Sequence, residues 1–352
     1  MLTGKRIVVT GGTGSLGTVR VRRFLSGTVG TPERVVVFSR DEAKQHAMRL
    51  AYEHVSAATD EVIYHNFEKL LQFRIGDVRD YAAVGSVLRE ADLVFNAAAL
   101  KQVPTCEYFP FEAVQTNIVG AENIVRAIRE HGFPVETVVG ISTDKAAQPV
   151  NVMGMSKAIQ ERIFVSANLD CPGTRFVCAR YGNVLASRGS VIPLFHAQIR
   201  RGGPVTITTA EMTRFLITLE QSVDTILAAV AEAKPGETYI PRVPAARIAE
   251  VAEALIGDRP VETLVTGVRP GEKTHEILVS EEESHRTTER GEYYVIHPML
   301  PELQPEPELT GTLEREYSSA DDVMTKDELG DLLRRHSLTL ESELVVNEDL
   351  LV

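Results

Sequence analysis

Apolar residues in the first half of the chain come in short unbroken runs, separated by longer helix-like segments. The runs are RIVVT (6–10), RVVVF (34–38), LQFRI (71–75), DLVFN (92–96), ETVVGIS (136–142) and RFVCAR (175–180). Helix-length segments lie between them, 112–131 and 153–168 among them. Continuous apolar strands alternating with helices indicate a parallel sheet covered on both faces. Right-handed crossovers then give the fold class: α/β, a doubly wound parallel sheet of the Rossmann type.

The rhythm changes after Tyr181. The stretch SRGSVIPLFHAQIRRGGPVTITTAEMTR mixes Gly, Pro and Arg without βα alternation. Residues 1–180 plus about 218–241, a helix and then a strand, are therefore expected to form the cofactor-binding Rossmann domain. Residues 181–217 plus about 242–335 are expected to form a smaller C-terminal substrate-binding lobe. That lobe includes a Pro/Glu-rich connector at 301–309 and a helix at 326–335. An acidic tail, 336–352, ends the chain.

Composition narrows the function. The chain has 352 residues, 43% hydrophobic and 24% charged, with a formal net charge of -12. This charge argues against nucleic acid or an anionic membrane as the main partner, while one basic pocket remains compatible with a phosphorylated ligand. Cys106, Cys171 and Cys178 are scattered, without metal-ligand spacing, and read as reduced thiols with no metal site. No apolar run approaches the ~20 residues of a spanning helix, and the chain enters its first strand without a signal-peptide pattern. A soluble, cytoplasmic protein is expected.

The first strand runs into TGGTGSLG (10–17), which sets Gly11, Gly14 and Gly17 three apart around Thr13, Ser15 and Leu16. Between a strand and a helix, such glycines allow a tight turn and a close approach to a pyrophosphate at the helix N-terminus. A purely structural glycine turn is the alternative. At the end of the second strand, where an acidic residue would hold the ribose hydroxyls of NAD, stand Ser39 and Arg40, with Lys44 one turn on. A guanidinium suits a 2′-phosphate, which favours NADP over NAD; a solvated Arg at a strand end is the other reading. Asp77 and Val78 follow the third strand, with Asp77 placed to accept from an adenine amino group. Ala97, Ala98 and Ala99 follow the fourth strand as a small-residue floor for the cofactor.

The stretch STDKAAQPVNVMGMSKAIQE (142–161) carries the candidate chemistry. A Lys four residues after a Tyr, with Ser or Thr about ten residues earlier, marks short-chain dehydrogenases. Thr143 and Lys157 are in place, but the tyrosine position holds Met153, whose thioether has no proton to give.

TGGTGSLG, SRDEAKQ, GDVRD, NAAALKQVPTCEYFPFEAVQTNIVG, STDKAAQPVNVMGMSKA, RYGNVLASRGSVIPLF, EMTRF and RPGEK follow the order seen in one family. From about residue 4 to 335 the chain resembles nucleotide-sugar 4,6-dehydratases of the extended short-chain dehydrogenase superfamily. It is most similar to the soluble UDP-N-acetylglucosamine dehydratases that invert C5, in a variant with Met in place of Tyr. The resemblance implies bound NADP and a nucleotide diphosphate sugar. Hydride leaves C4, water is lost across C5 and C6, and the hydride returns to C6. It implies that Lys145 removes the C5 proton, Asp144 serves the C6 oxygen, Thr143 bonds the C4 oxygen and Lys157 holds the nicotinamide ribose. For Lys145 to act as a base, burial and nearby positive charge should push its pKa down. Lys101, Asn117, Asn183, Arg188, Val191, Arg214, Arg269 and Glu272 match positions at or near the substrate. Relatives are dimers to hexamers, so a homo-oligomer is expected. Two other readings stay open: a nucleotide-sugar epimerase, and a non-catalytic NADP-binding protein.

Overall fold

The computed structural model describes residues 1–57, 70–185, 190–304 and 311–341. Each apolar run of the first half forms a strand: β1 (Arg6–Thr10), β2 (Arg34–Ser39), β3 (Leu71–Ile75), β4 (Leu93–Asn96), β5 (Thr137–Thr143) and β6 (Arg175–Tyr181). Between them run α1 (Ser15–Leu25), α2 (Glu42–Ala57), α3 (Tyr81–Leu88), α4 (Val103–Tyr108), α5 (Pro110–Ala113), α6 (Gly120–His131) and α7 (Val152–Asp170).

The chain then enters a lobe with β7 (Asn183–Val184), α8 (Val191–Arg200), β8 (Val205–Ile207) and β9 (Thr213–Ile217). It returns to the sheet through α9 (Leu219–Glu232) and β10 (Thr238–Pro241). Back in the lobe come β11 (Ala245–Arg247), α10 (Ile248–Ile256), β12 (Thr263–Val265), β13 (Ile277–Val279) and α11 (Glu281–Ser284). The described chain ends with β14 (Thr287–Arg290), β15 (Tyr293–Ile296), β16 (Tyr317–Ser318) and α12 (Lys326–Arg335).

The large sheet has the order β14-β15-β10-β6-β5-β4-β1-β2-β3. Strands from β3 to β10 are parallel, while β15 is antiparallel to β10 and β14 to β15. Alternation along a strand sends Ile7 and Val9 to one face, with Val21 and Phe24 of α1. Val8 goes to the other face with Ile124 and Ile128 of α6. Burying one such side chain contributes about 2 kcal/mol. The lobe has a core of its own, where Ile192 and Phe195 of α8 meet Val251 and Leu255 of α10 and Leu329 and Leu333 of α12.

Two expectations change. Residues 287–296, expected in the lobe, form a hairpin that extends the large sheet. Polar β14 (TTER) gives no apolar run to read. The segment 112–131 is not one regular helix: Val114–Val119 forms a π-helical turn between α5 and α6. Such turns disturb the backbone ladder and are frequent at functional sites.

Candidate active site

β1 ends at Thr10, and the chain turns sharply into α1. Gly11 has φ of 65°, and a Cβ there would lie 2.8 Å from the backbone of Ala98. A Cβ on Gly17 would lie 2.4 Å from the carbonyl oxygen of Gly12, so the helix packs on the turn as only glycine allows. Gly14 caps α1 without a side-chain bond, and no acidic residue occupies the first turn. The free N–H groups and positive dipole end of α1 are thus open to an anion. Thr13 Oγ1 donates to Ser39 Oγ at 3.3 Å, joining this loop to the end of β2. The residues present fit the pyrophosphate of a dinucleotide, with Ser15 and Leu16 in the first turn and Ala97, Ala98 and Ala99 as partly exposed floor beside the loop.

Arg40 lies just beyond β2 with its side chain 60% exposed and Nη1 3.8 Å from Asp77 Oδ2. Lys44 pairs with Asp41 at 2.6 Å. Asp77, expected to receive an adenine amino group, is already engaged: it accepts from Arg79 Nε at 2.9 Å and from Arg79 N at 3.0 Å. Burial opposes its charge, but the Arg79 bonds outweigh burial and hold the carboxyl below its ordinary value. Val78 turns into the core, against Gly120.

The candidate catalytic residues stand at the C-terminal edge of β5. Thr143 ends the strand, and a 3-10 turn, Asp144–Ala146, follows at once. On an extended strand Asp144 and Lys145 would face opposite ways; the turn brings them together. Thr143 Oγ1 donates to Asp144 Oδ1 at 2.8 Å, and Lys145 Nζ donates to the same oxygen at 3.0 Å. Asp144 is fully buried, and its Oδ2 has no partner. The start of α7 packs so tightly on this turn that a Cβ on Gly154 would lie 2.2 Å from the Lys145 carbonyl oxygen.

Lys145 departs from expectation. Its Nζ also lies 3.2 Å from Glu276 Oε1. Burial works to lower its pKa, but Asp144 and Glu276 outweigh burial, and the net direction is upward. Glu276 and Lys273, whose Nζ donates to the Ala147 carbonyl at 2.6 Å, were not singled out from sequence. The available signal was an acidic residue directly before the apolar run of β13. Arg214, expected at a diphosphate, donates from Nη1 to the carbonyls of Thr213 (2.7 Å) and Thr274 (3.2 Å), with Nε 3.7 Å from Glu276.

Met153 is buried with Cys106 and Ala113. Lys157 is buried too; its Nζ donates to Gln160 Oε1 at 2.7 Å, and burial lowers its pKa to about 8. Asn117 does not present its amide to a ligand. It accepts from Leu100 N (2.8 Å) and donates to Leu100 O (3.0 Å) and Ser156 Oγ (2.9 Å), tying the π turn to α7 and to the loop after β4.

In the lobe, Asn183 Oδ1 and Glu272 Oε2 are buried without partners, polar groups suited to a ligand. Val191 opens α8 and is partly buried, while Lys101 and Arg269 are exposed. Arg188 lies outside the described residues. The loop carrying Arg269 and Glu272 is fastened over the start of α7, where Asn151 Nδ2 donates to the Gly271 carbonyl at 2.8 Å.

The sequence matches the polysaccharide biosynthesis protein family over residues 7–298. UDP-glucose 4-epimerase of Rickettsia conorii is 44% identical over 301 residues, covering 84% of each chain. That of Rickettsia typhi is 43% identical over 302 residues, again 84% of each. Among solved structures, Pen from Bacillus thuringiensis superposes with a TM-score of 0.85 at 33% identity, over 96% of this chain and 99% of that one. DesIV, a dTDP-glucose 4,6-dehydratase from Streptomyces venezuelae, shares the fold alone: TM-score 0.62, 20% identity, 76% of this chain and 86% of that one. A match spanning most of the chain, on a sheet of this order and with a glycine turn of this shape, makes the chain a member of the polysaccharide biosynthesis protein family, within the extended short-chain dehydrogenases/reductases.

Proposed function

We propose that the protein is a nucleotide-sugar 4,6-dehydratase, a hydro-lyase acting on UDP-N-acetylglucosamine with inversion at C5. A nucleotide-sugar-modifying enzyme is supported by the family and by the names of its relatives. The observation that carries the finer reading is the part-buried Thr143–Asp144–Lys145 turn at the ligand edge of the sheet. Elimination across C5 and C6 needs a base for one carbon and an acid for the oxygen on the next. A carboxylate and an amine on adjacent residues, side by side at 3.0 Å, have that composition.

NADP, when bound, would supply the hydride acceptor at C4 and the donor at C6. Gly11, Gly14, Gly17 and the start of α1 would hold its pyrophosphate, and Arg40 and Lys44 its 2′-phosphate. The Thr143 hydroxyl passes the C4 hydroxyl proton to Asp144, to which it already donates at 2.8 Å. Asp144, now protonated, assists departure of the C6 hydroxyl. Lys145, once it has lost its own proton, takes the proton from C5. Lys157, buried beside the site, adds positive potential. Asn183, Val191, Arg214, Arg269 and Glu272 would receive the nucleotide diphosphate, with Lys101 toward the sugar; Arg188 joins them by its place in the sequence alone. Among the described residues, no helix is long and apolar enough to cross a membrane. We place the enzyme in the cytoplasm as a homo-oligomer.

The relatives' names favour a second reading, a UDP-sugar 4-epimerase. Epimerisation at C4 breaks no C5–H or C6–O bond and gives Asp144 and Lys145 together no task. Incubation with UDP-N-acetylglucosamine and, separately, UDP-glucose, without added cofactor, separates the two. A 4-keto-6-deoxy product supports the dehydratase; a C4 epimer replaces it with the second reading.

A further inference from the structure

Lys145 sits between two carboxylates brought together from distant parts of the chain. Asp144 precedes it on the 3-10 turn, and Glu276 enters from the lobe just before β13. Glu276 is almost wholly buried, with Oε1 3.2 Å from Lys145 Nζ and Oε2 without a partner. Its backbone is fixed as well: its N–H donates to Ser319 Oγ at 2.9 Å, and Ser319 is bonded in turn to Thr213. A carboxylate held this firmly beside a lysine, with half its hydrogen-bonding capacity unused, is placed to act on that lysine.

We propose that Glu276 is a positioning residue for Lys145, holding its ammonium in the resting site and taking a proton from it when the base is generated. In that step one Nζ–H bond breaks and one O–H bond forms on Glu276 Oε1. The cation and anion of the pair become two neutral groups, and total charge is unchanged. Exclusion of water on substrate binding favours this direction, because a low-dielectric site penalises two separated charges more than two neutral groups. Lys145 then takes the C5 proton and is cationic again, as in the resting site, and a solvent-derived proton reaches the opposite face of C5 as hydride would be delivered to C6. Glu276 loses its proton to solvent when the site reopens.

The charged groups facing this pair are few. Asp144 lies on the turn, Arg214 on β9 has its Nε 3.7 Å from Glu276 Oε1, and Lys273 reaches the same turn through Ala147. Arg214 and Lys273 place positive charge beside the pair, and the proton moves only when the ligand alters this surround. The role in turnover rests on the dehydratase reading; the hold on Lys145 does not.

The test uses the full-length protein labelled with 15N-lysine, and the Lys145 Nζ signal is assigned by its loss in Lys145→Arg. In the substrate-free parent, Lys145 titrates above the ordinary lysine range. In Glu276→Gln its midpoint falls by about one pH unit or more, the effect of losing one adjacent opposite charge. Glu276→Asp, which keeps the charge, restores most of it, and thermal melting of both variants verifies folding. With UDP-N-acetylglucosamine, the acidic limb of the kcat/KM profile of Glu276→Gln moves to lower pH along with the lysine midpoint. A purely structural role would lower kcat/KM at every pH without moving the limb. A Lys145 midpoint unchanged in Glu276→Gln, or an unmoved limb, overturns the proposal. If no turnover of this sugar is seen in the parent, the dehydratase reading fails, and the substrate-free titration still decides whether Glu276 governs Lys145.

Discussion

Met153 stands where a short-chain dehydrogenase carries its tyrosine, and the proposed route for the proton it cannot accept runs through its neighbours. Thr143 Oγ1 points its hydrogen at Asp144, and Asp144 is buried with one oxygen free of partners. Met153 packs against Cys106 and Ala113. Met153→Leu conserves volume, costs less than about 1.5 kcal/mol and should keep most activity. Asp144→Asn should lose both C4 oxidation and C6 elimination. Pre-steady-state absorbance of reduced cofactor checks this; formation at the parent rate in Asp144→Asn would assign the C4 proton to another group. Arg40→Ala should weaken NADP more than NAD, by ~1.5–3 kcal/mol for one lost charge-assisted bond, as read by titrating the cofactor-free protein with each. Equal losses would dismiss Arg40 as the selector. At this scale the sequence revealed what adjacency carries. Thr143, Asp144 and Lys145 are consecutive and end an apolar run, so their meeting was legible. Glu276 reaches Lys145 only through the fold, and the upward shift it helps impose on that lysine was therefore missed.

The elements were legible where one physical constraint dominates. The six runs of the first half are strands because both sheet faces are covered, and α1 follows the glycine turn because nothing larger fits. Gly17→Ala forces a Cβ onto the Gly12 carbonyl and should both weaken cofactor binding and lower the melting temperature. An affinity matching the parent's would mean that the loop relaxes freely. The π turn was not legible: Asn117 within it makes bonds that reach two other segments, and sequence spacing does not show such bonds. Asn117→Ala leaves the N–H and carbonyl of Leu100 without these partners. It should cost about 3 kcal/mol, measured by urea unfolding, from the loss of several buried hydrogen bonds. The β14–β15 hairpin escaped because a short polar edge strand carries no burial pattern.

Across the whole molecule, sheet and lobe are locked by buried ion pairs that the sequence could not announce. Arg180 on β6 bonds Glu161 of α7 (2.7 and 3.0 Å) and Glu283 of α11 (2.8 and 2.9 Å). Burial opposes the charge of Glu283, but Arg180 outweighs it and holds the carboxyl at about 2. Glu237, between Arg290 and His297, is held at about 2 as well, its hydrogen bonds again overriding burial. Both pKa values are depressed from 4.5, so the stability they contribute is present above that pH and lost as pH falls toward about 2. Each contributes on the order of 3 kcal/mol. Melting temperature should therefore fall steeply below pH 4.5, and less steeply in Glu237→Gln, whose side chain no longer titrates. Arg180→Met strands two buried carboxylates and should cost ~3–5 kcal/mol at neutral pH. The central claim is elimination across C5 and C6, and one experiment meets it directly: the protein as purified is incubated with UDP-N-acetylglucosamine in heavy water, and the product is examined by NMR. The account predicts a 4-keto-6-deoxy sugar nucleotide with solvent deuterium at C5, and none of it with Lys145→Ala. A C4 epimer with its C6 hydroxyl intact and no deuterium at C5 would contradict it.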